Sequence, residues 1–225
     1  MFLQSALAAF IACLAQPAFA LDCVPVSSLK ELFLAEIPVV QGTGEHQAGV
    51  VVTRSEEADA AMQAAYEYGV TERMQLAVEW ETSRVGGESA NGMAASIGIL
   101  LLCTRGQPLL RLDAGIERDR DENETGGSAL VALGQAAGFG GWVVNASRSG
   151  LDKETAYAAA IMLDTELPIS IEASHERGEA SRSNWVAAGI YLFSTERFEL
   201  GIAFADGSAD ASGMWEVLLS VAGEF

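Results

Sequence analysis

Positive charge is scarce in this chain: 13 Lys and Arg stand against 31 Asp and Glu, for a formal net charge of -18. No basic stripe exists to neutralise phosphates, which disfavours nucleic acid as a partner. Histidine is rarer still, with two, and cysteine numbers three. No cluster of Cys and His stands at metal-ligand spacing, so neither a metal nor a cofactor is expected. The loop carboxylates Asp119, Asp121, Glu122 and Glu124 could hold divalent ions, but they read first as a solvated loop. Long apolar runs are missing too. Beyond residue 20 the longest candidate, Met93 to Cys103, is too short for a spanning helix. Yet 50% of the residues are hydrophobic and mean hydropathy is +0.22. The apolar residues must therefore alternate with polar ones.

Residues 1–20 carry no charged side chain. They hold an apolar run from Ala6 to Leu14 and end on Ala18-Phe19-Ala20. This is the pattern of a cleaved secretory signal peptide, although Met1 to Ser5 offer no Lys or Arg. Cleavage leaves Cys23 and Cys103, which can form one disulfide in an exported chain or stay as two thiols. Residues 21–46 read as a periplasmic N-terminal segment. Within it, Ser27 to Glu36 shows helical spacing (Leu29, Leu32, Leu34) and would lie in the periplasm or fold into a barrel mouth.

Residues 47–225 read as a transmembrane β-barrel. The end of the chain is the clearest signal. Trp215, Val217, Leu219, Val221, Gly223 and Phe225 share one strand face, and Glu216, Leu218, Ser220, Ala222 and Glu224 share the other. Lipid covers such an apolar face in an outer-membrane barrel, with aromatics at its interfaces. Phe225 would then be a C-terminal signal read by the barrel-assembly machinery. Segments of about ten residues recur at 47–55, 59–70, 73–84, 94–103, 108–118, 128–136, 140–148, 155–164, 167–177, 184–193, 196–205 and 214–225. The fold class is thus all-β, an antiparallel up-and-down barrel of about twelve strands. The count falls to ten if the Ala- and Leu-rich 128–136 and 155–164 are helical. Alternation is clean at 73–84, where Met74, Leu76, Val78 and Trp80 oppose Gln75, Ala77, Glu79 and Glu81. It is equally clean at 108–118, where Leu110, Leu112 and Ile116 oppose Arg111, Asp113 and Glu117. Short periplasmic turns should alternate with longer external loops, such as Val85–Gly92, Asp119–Gly127 and Asp206–Gly213.

The inward parity collects pore-lining candidates: Glu67, Gln75, Glu79, Glu81, Arg111, Asp113, Glu117, Glu172, Glu199 and Glu216. Eight of the ten are acidic, and an acidic wall attracts cations. A packed polar interior, with carboxylates paired to Arg111, is the alternative. The outward parity carries Tyr66, Tyr68, Trp80, Trp142, Phe198, Phe204 and Trp215. No enzyme is expected. A lipid hydrolase of this architecture would need a histidine-activated serine, but Ser174 faces away from His175, the position two beyond that histidine is Arg177, and His46 has no evident partner.

The stretch from Glu57-Ala58-Asp59 through Tyr66-Glu67-Tyr68-Gly69-Val70-Thr71-Glu72-Arg73-Met74-Gln75-Leu76 to Glu79 resembles a recurring hairpin. It is similar to the Tyr-Gly-Leu-Thr-Asp-Arg-Leu pattern of outer-membrane proteins of the phenol-degradation meta-pathway family. The resemblance implies an outer-membrane barrel for uptake of hydrophobic or aromatic compounds, and it brings no catalytic residues. The sequence therefore points to a passive channel for small solutes in the bacterial outer membrane, with lipids as its surroundings. A closed structural or adhesive barrel is the second reading, and a lipid-modifying enzyme the third.

Overall fold

In lipid, every backbone N–H and C=O must find a partner inside the protein, so strands can span a bilayer only as a closed ring. The chain meets that demand with twelve strands: β1 (His46–Ser55), β2 (Ala60–Thr71), β3 (Met74–Val85), β4 (Glu88–Leu102), β5 (Leu109–Asp119), β6 (Thr125–Ala137), β7 (Gly140–Ser149), β8 (Thr155–Leu163), β9 (Ile169–Arg177), β10 (Arg182–Ser194), β11 (Phe198–Ala209) and β12 (Ser212–Glu224). Each pairs antiparallel with its sequence neighbours, and β12 returns to β1 along the register Gln47↔Glu224 to Ser55↔Glu216. In this computed structural model the described residues are 35, 40–55, 60–85, 88–102, 107–121, 123–137, 140–151, 153–178, 182–194, 198–209 and 212–224. The expected signal peptide at residues 1–20, the helical spacing at residues 27–36 apart from Ala35, Cys23, Cys103, Glu122 and Phe225 lie outside them.

The two Ala- and Leu-rich segments are strands β6 and β8. Their helical propensity yields because both edges of each segment pair, and local preference is weaker than a completed ladder. The expected alternation of short and long connections is absent. Strand ends leave residues 72–73 and 138–139 between strands on one side, but also 86–87 and 210–211 on the other. Polar stretches that read as loop are strand instead. Ser89, Ala90 and Asn91 of β4 pair with Arg84, Ser83 and Thr82 of β3, so this hairpin continues past the apolar belt.

The two faces sort as the alternation predicts. Val144, Ile171, Val186, Ile202 and Leu219 point outward and are exposed, while Ala160, Ser170, Ala187, Ala203 and Ser220 point inward and are buried. The outer face is thus apolar although no partner chain covers it, as lipid requires. His46 hydrogen-bonds the Tyr66 hydroxyl through Nδ1, and its ring lies 4.9 Å from that of Tyr68. Together with Phe193 and Phe198, 5.7 Å apart, they form part of an aromatic girdle at the end where the chain enters and leaves the barrel. With an even strand count, that end is periplasmic. Leu219 faces lipid between Val52 and Ile202 at the closing seam. Leu219→Arg should cost about 2–4 kcal/mol of folding stability, read as a lowered urea midpoint in vesicles; an unchanged midpoint would place this face outside the bilayer core.

Candidate functional site

The lumen is the site, and its geometry starts with β4. The inward residues of β4 are small: Ala94, Ser96 and Gly98 separate the polar residues of β3 from those of β5. In one row across the wall, Gln75, Gly98 and Asp113 are neighbours; in another, Glu79, Ala94 and Glu117. A Cβ at Gly98 would lie 2.6 Å from Asp113 Oδ1 and 3.1 Å from Arg111 Nε, so only glycine leaves room for that cluster. There Arg111 donates through Nε to Asp113 Oδ1 at 2.8 Å, and its Nη2 lies 2.8 Å from Oδ2. This two-pronged pairing neutralises the inward guanidinium within its own strand.

Several of the remaining acids accept hydrogen bonds from neutral donors. Glu67 accepts from Gln75 Nε2 at 3.0 Å, Glu117 from Ser149 Oγ at 2.6 Å, and Glu172 from Ser170 Oγ at 2.8 Å. Gln63 Nε2 reaches Glu79 at 3.5 Å. Hydroxyl and amide donors orient a carboxylate without cancelling its charge. All ten sequence candidates stand on the inward register; Glu199 and Glu216 sit on β11 and β12, away from the cluster around Arg111. Exposure along the inner wall is graded. Gln75 and Ser170 are wholly buried toward the periplasmic end, whereas Gln63 and Glu81 are exposed toward the outer end.

The opposite wall combines inward acids (Glu172, Glu176, Glu199 and Glu216) with an apolar patch. Ala187, Ala203, Ala205 and Leu218 form a buried inward cluster, with Val51 and Trp185 packed against it. Gly207 stands opposite Trp185, where a Cβ would come within 2.4 Å of the indole. The inward Glu176, which accepts from Ser183 Oγ, and the inward Trp185 and Tyr191 are absent from the sequence-derived set. Glu176 shares the parity of Ser170 and Glu172 and was legible. In β10 both faces are apolar, so alternation gives no inside or outside for Trp185.

The chain preceding β1 reaches into the lumen. Gln41 donates from its backbone N–H to Gln75 Oε1 at 3.0 Å and from Nε2 to Glu67 at 3.2 Å, and it also bonds Gln47. Ala35 is buried against Ala158 and Ala160, and its N–H donates to Glu172 at 3.3 Å. Strands β3 and β9 face each other across a ring of twelve, so these two contacts fall on opposite walls. A tight turn steers the chain in: Glu45 N–H donates to Gly42 O, and Gly44 takes φ 80 at the third turn position, where only glycine is comfortable.

Elsewhere, His175 faces outward and its Nδ1 is 2.9 Å from Asn184 Oδ1. The Ser174 hydroxyl is buried on the other side of the sheet, so the pair is not brought together. No group of three or more His, Cys, Asp or Glu that could hold a metal ion occurs among the described residues.

No family model matches the sequence, and no curated protein does. Solved structures do share its fold. A KdgM porin superposes with a TM-score of 0.62 at 8% identity, covering 80% of this chain and 99% of that one; a second structure shows that porin in complex with disordered oligogalacturonate. An outer membrane channel from Pseudomonas putida F1 superposes with a TM-score of 0.60 at 12% identity, covering 87% and 100%. The chain is a closed twelve-stranded antiparallel barrel of the architecture found in outer-membrane porins and channels.

Proposed function

We propose that the chain is an outer-membrane channel for the passive passage of small solutes, with a preference for cations. The observation that carries this reading is the segregation of charge. Among the described strand residues of the inner wall, Glu67, Glu79, Glu81, Glu117, Glu172, Glu176, Glu199 and Glu216 stand with one arginine, Arg111, which is paired to Asp113. A one-signed wall in a narrow passage focuses field and raises the local concentration of the opposite ion. Exposure increasing toward the outer end gives that wall the form of an external vestibule.

The apolar patch at Trp185 and Leu218 adds a surface for a flat or aliphatic group. It supports the uptake of hydrophobic or aromatic compounds implied by the resemblance to the phenol-degradation meta-pathway family. Taken with the acids, it favours such compounds when neutral or cationic. A polyanion such as oligogalacturonate would meet carboxylates here, so that ligand is not carried over from the porin.

The contacts of Ala35 and Gln41 support a second reading, a barrel whose lumen is filled and serves a structural role. Planar-bilayer recording of the refolded protein separates the two. Discrete conductance steps are expected; their absence across salts and voltages, with the barrel folded, would leave the structural reading. No step of hydrolysis is proposed, because the only outward histidine near a serine is turned away from it.

A further inference from the structure

Charge is sorted on the outer face as well, and with the opposite sign. Arg54, Arg84, Arg118, Arg148, Arg177 and Arg182 all fall on the outward parity, and all lie within two residues of the external end of their strands. Toward the periplasmic end the outward positions of the same strands are aromatic or aliphatic, among them Trp142, Ile169 and Leu192.

Three of these arginines lie in one row. Arg148 of β7 is the register partner of Thr155 of β8, Thr155 is the partner of Arg177 of β9, and Arg177 is the partner of Arg182 of β10. All three arginines are exposed. Strands stand about 4.8 Å apart, so three guanidinium groups are presented across about 15 Å of rim. Like charges placed directly opposite across a strand pair destabilise it, and Arg177 with Arg182 is such a pair. The same outward face carries one acid on the neighbouring strand, Asp206 of β11, opposite Val186. The next outward row toward the membrane centre holds Ala146, Tyr157, His175 and Asn184, the last two hydrogen-bonded. Below it come Val144, Ile171 and Val186.

We propose that the external rim of β7 to β10 binds the phosphorylated headgroup of an anionic glycolipid in the outer leaflet. Arg148, Arg177 and Arg182 hold its phosphates, Thr155 and Tyr157 supply further hydrogen bonds, and the acyl chains lie along Val144, Ile171 and Val186. Guanidinium groups match phosphate oxygens in paired hydrogen bonds. A lipid supplies what a free anion cannot, because its apolar part covers the belt directly below the charges. The rim's external position rests on the outer-membrane reading above.

The test uses the full mature chain refolded in neutral detergent, with heat-modifiable migration confirming a folded barrel before any lipid is added. Diphosphorylated lipid A, its dephosphorylated form and inorganic phosphate are titrated separately, with binding read by native mass spectrometry and by the unfolding midpoint. Lipid A is expected to bind and raise the midpoint, and the other two are not. R148Q/R177Q/R182Q should weaken lipid A binding on the order of 100-fold, and R148K/R177K/R182K, which keeps the charge but loses the paired hydrogen bonds, should fall between that variant and the wild type. Equal binding of the dephosphorylated lipid, an equal effect of inorganic phosphate, or full binding by the glutamine variant would each overturn the site. Should the triple glutamine variant not fold, Arg177→Gln alone is read by the same criteria. Failure of the wild type to insert into vesicles would instead sink the membrane reading on which the site depends.

Discussion

In a potassium chloride gradient the wild-type channel should show a reversal potential of cation-selective sign, and Glu79→Lys/Glu81→Lys/Glu117→Lys should invert that sign. Glu79 and Glu117 share one row across β3 to β5, and Glu81 lies one inward position nearer the outside. All three face the more exposed part of the lumen, where a permeating ion still carries water and interacts over several ångströms. Each reversal changes the local charge by two units, so the patch passes from three negative charges to three positive ones. At an effective dielectric near that of a protein surface, a charge a few ångströms away is worth a few kcal/mol before screening. Salt reduces this, and about 1–2 kcal/mol remains a reasonable net change, or about 5- to 30-fold in relative permeability. Neutral replacement at the same three positions should reduce cation selectivity without inverting it, because five inward glutamates remain. Unaltered selectivity in the folded lysine variant would mean that ions do not pass this wall. Glu81 is exposed and Glu79 and Glu117 are half-buried, all three nearer the outer end than the Arg111–Asp113 pair, so heat-modifiable migration of the variant is confirmed before recording.

The strands and their pairing were legible because a lipid-facing strand alternates strictly, and each clean example (Met74 to Trp80, Leu110 to Ile116) shows both faces at once. The same rule identified the inward acids. It fell short where both faces are apolar, as in β10, where Val186, Ala188 and Ile190 look no different from Trp185, Ala187 and Tyr191 by hydropathy. Only closure of the ring decides which set meets lipid. External strand ends were misplaced for a related reason. Beyond the belt no lipid selects apolar residues, so a polar strand such as Glu88 to Asn91 has the composition of a loop. Three register shifts escaped as well, one of them at Gly69/Thr71. At Leu100/Leu102 and Tyr191/Phe193 the register slips by one, and Leu101 with Leu102, like Leu192 with Phe193, both face outward, which no period of two can signal. Helical spacing at residues 27–36 left open whether that segment lies in the periplasm or folds into the barrel mouth; the contacts of Ala35 with Glu172 and of Gln41 with Gln75 depend on walls 137 and 34 positions away and leave no local signal.

Those contacts make Gly69→Val the sharpest test of whether the lumen is regulated by its own N-terminal chain. Gly69 lies on the inner wall of β2, and a Cβ there would stand 1.9 Å from Gly42 O and 2.6 Å from Gln41 O. Both obstacles are backbone, so no rotamer change relieves the clash. The strand itself has no objection, since Gly69 is not in a left-handed conformation and valine is a strong strand former. The substitution therefore pushes residues 41–42 off the wall while leaving the barrel ladder intact. Three hydrogen bonds from Gln41 go with them, to Gln75, Glu67 and Gln47. At about 1 kcal/mol each, their loss shifts the balance between seated and displaced segment by about 100-fold. Conductance of Gly69→Val should accordingly rise several-fold over wild type, with heat-modifiable migration unchanged. Gly69→Ala meets the same Cβ clash and should move in the same direction. A folded Gly69→Val barrel with wild-type conductance would show that the segment does not limit the passage, and the narrowing would then have to be assigned to the wall itself, at Gln75, Arg111 and Glu172.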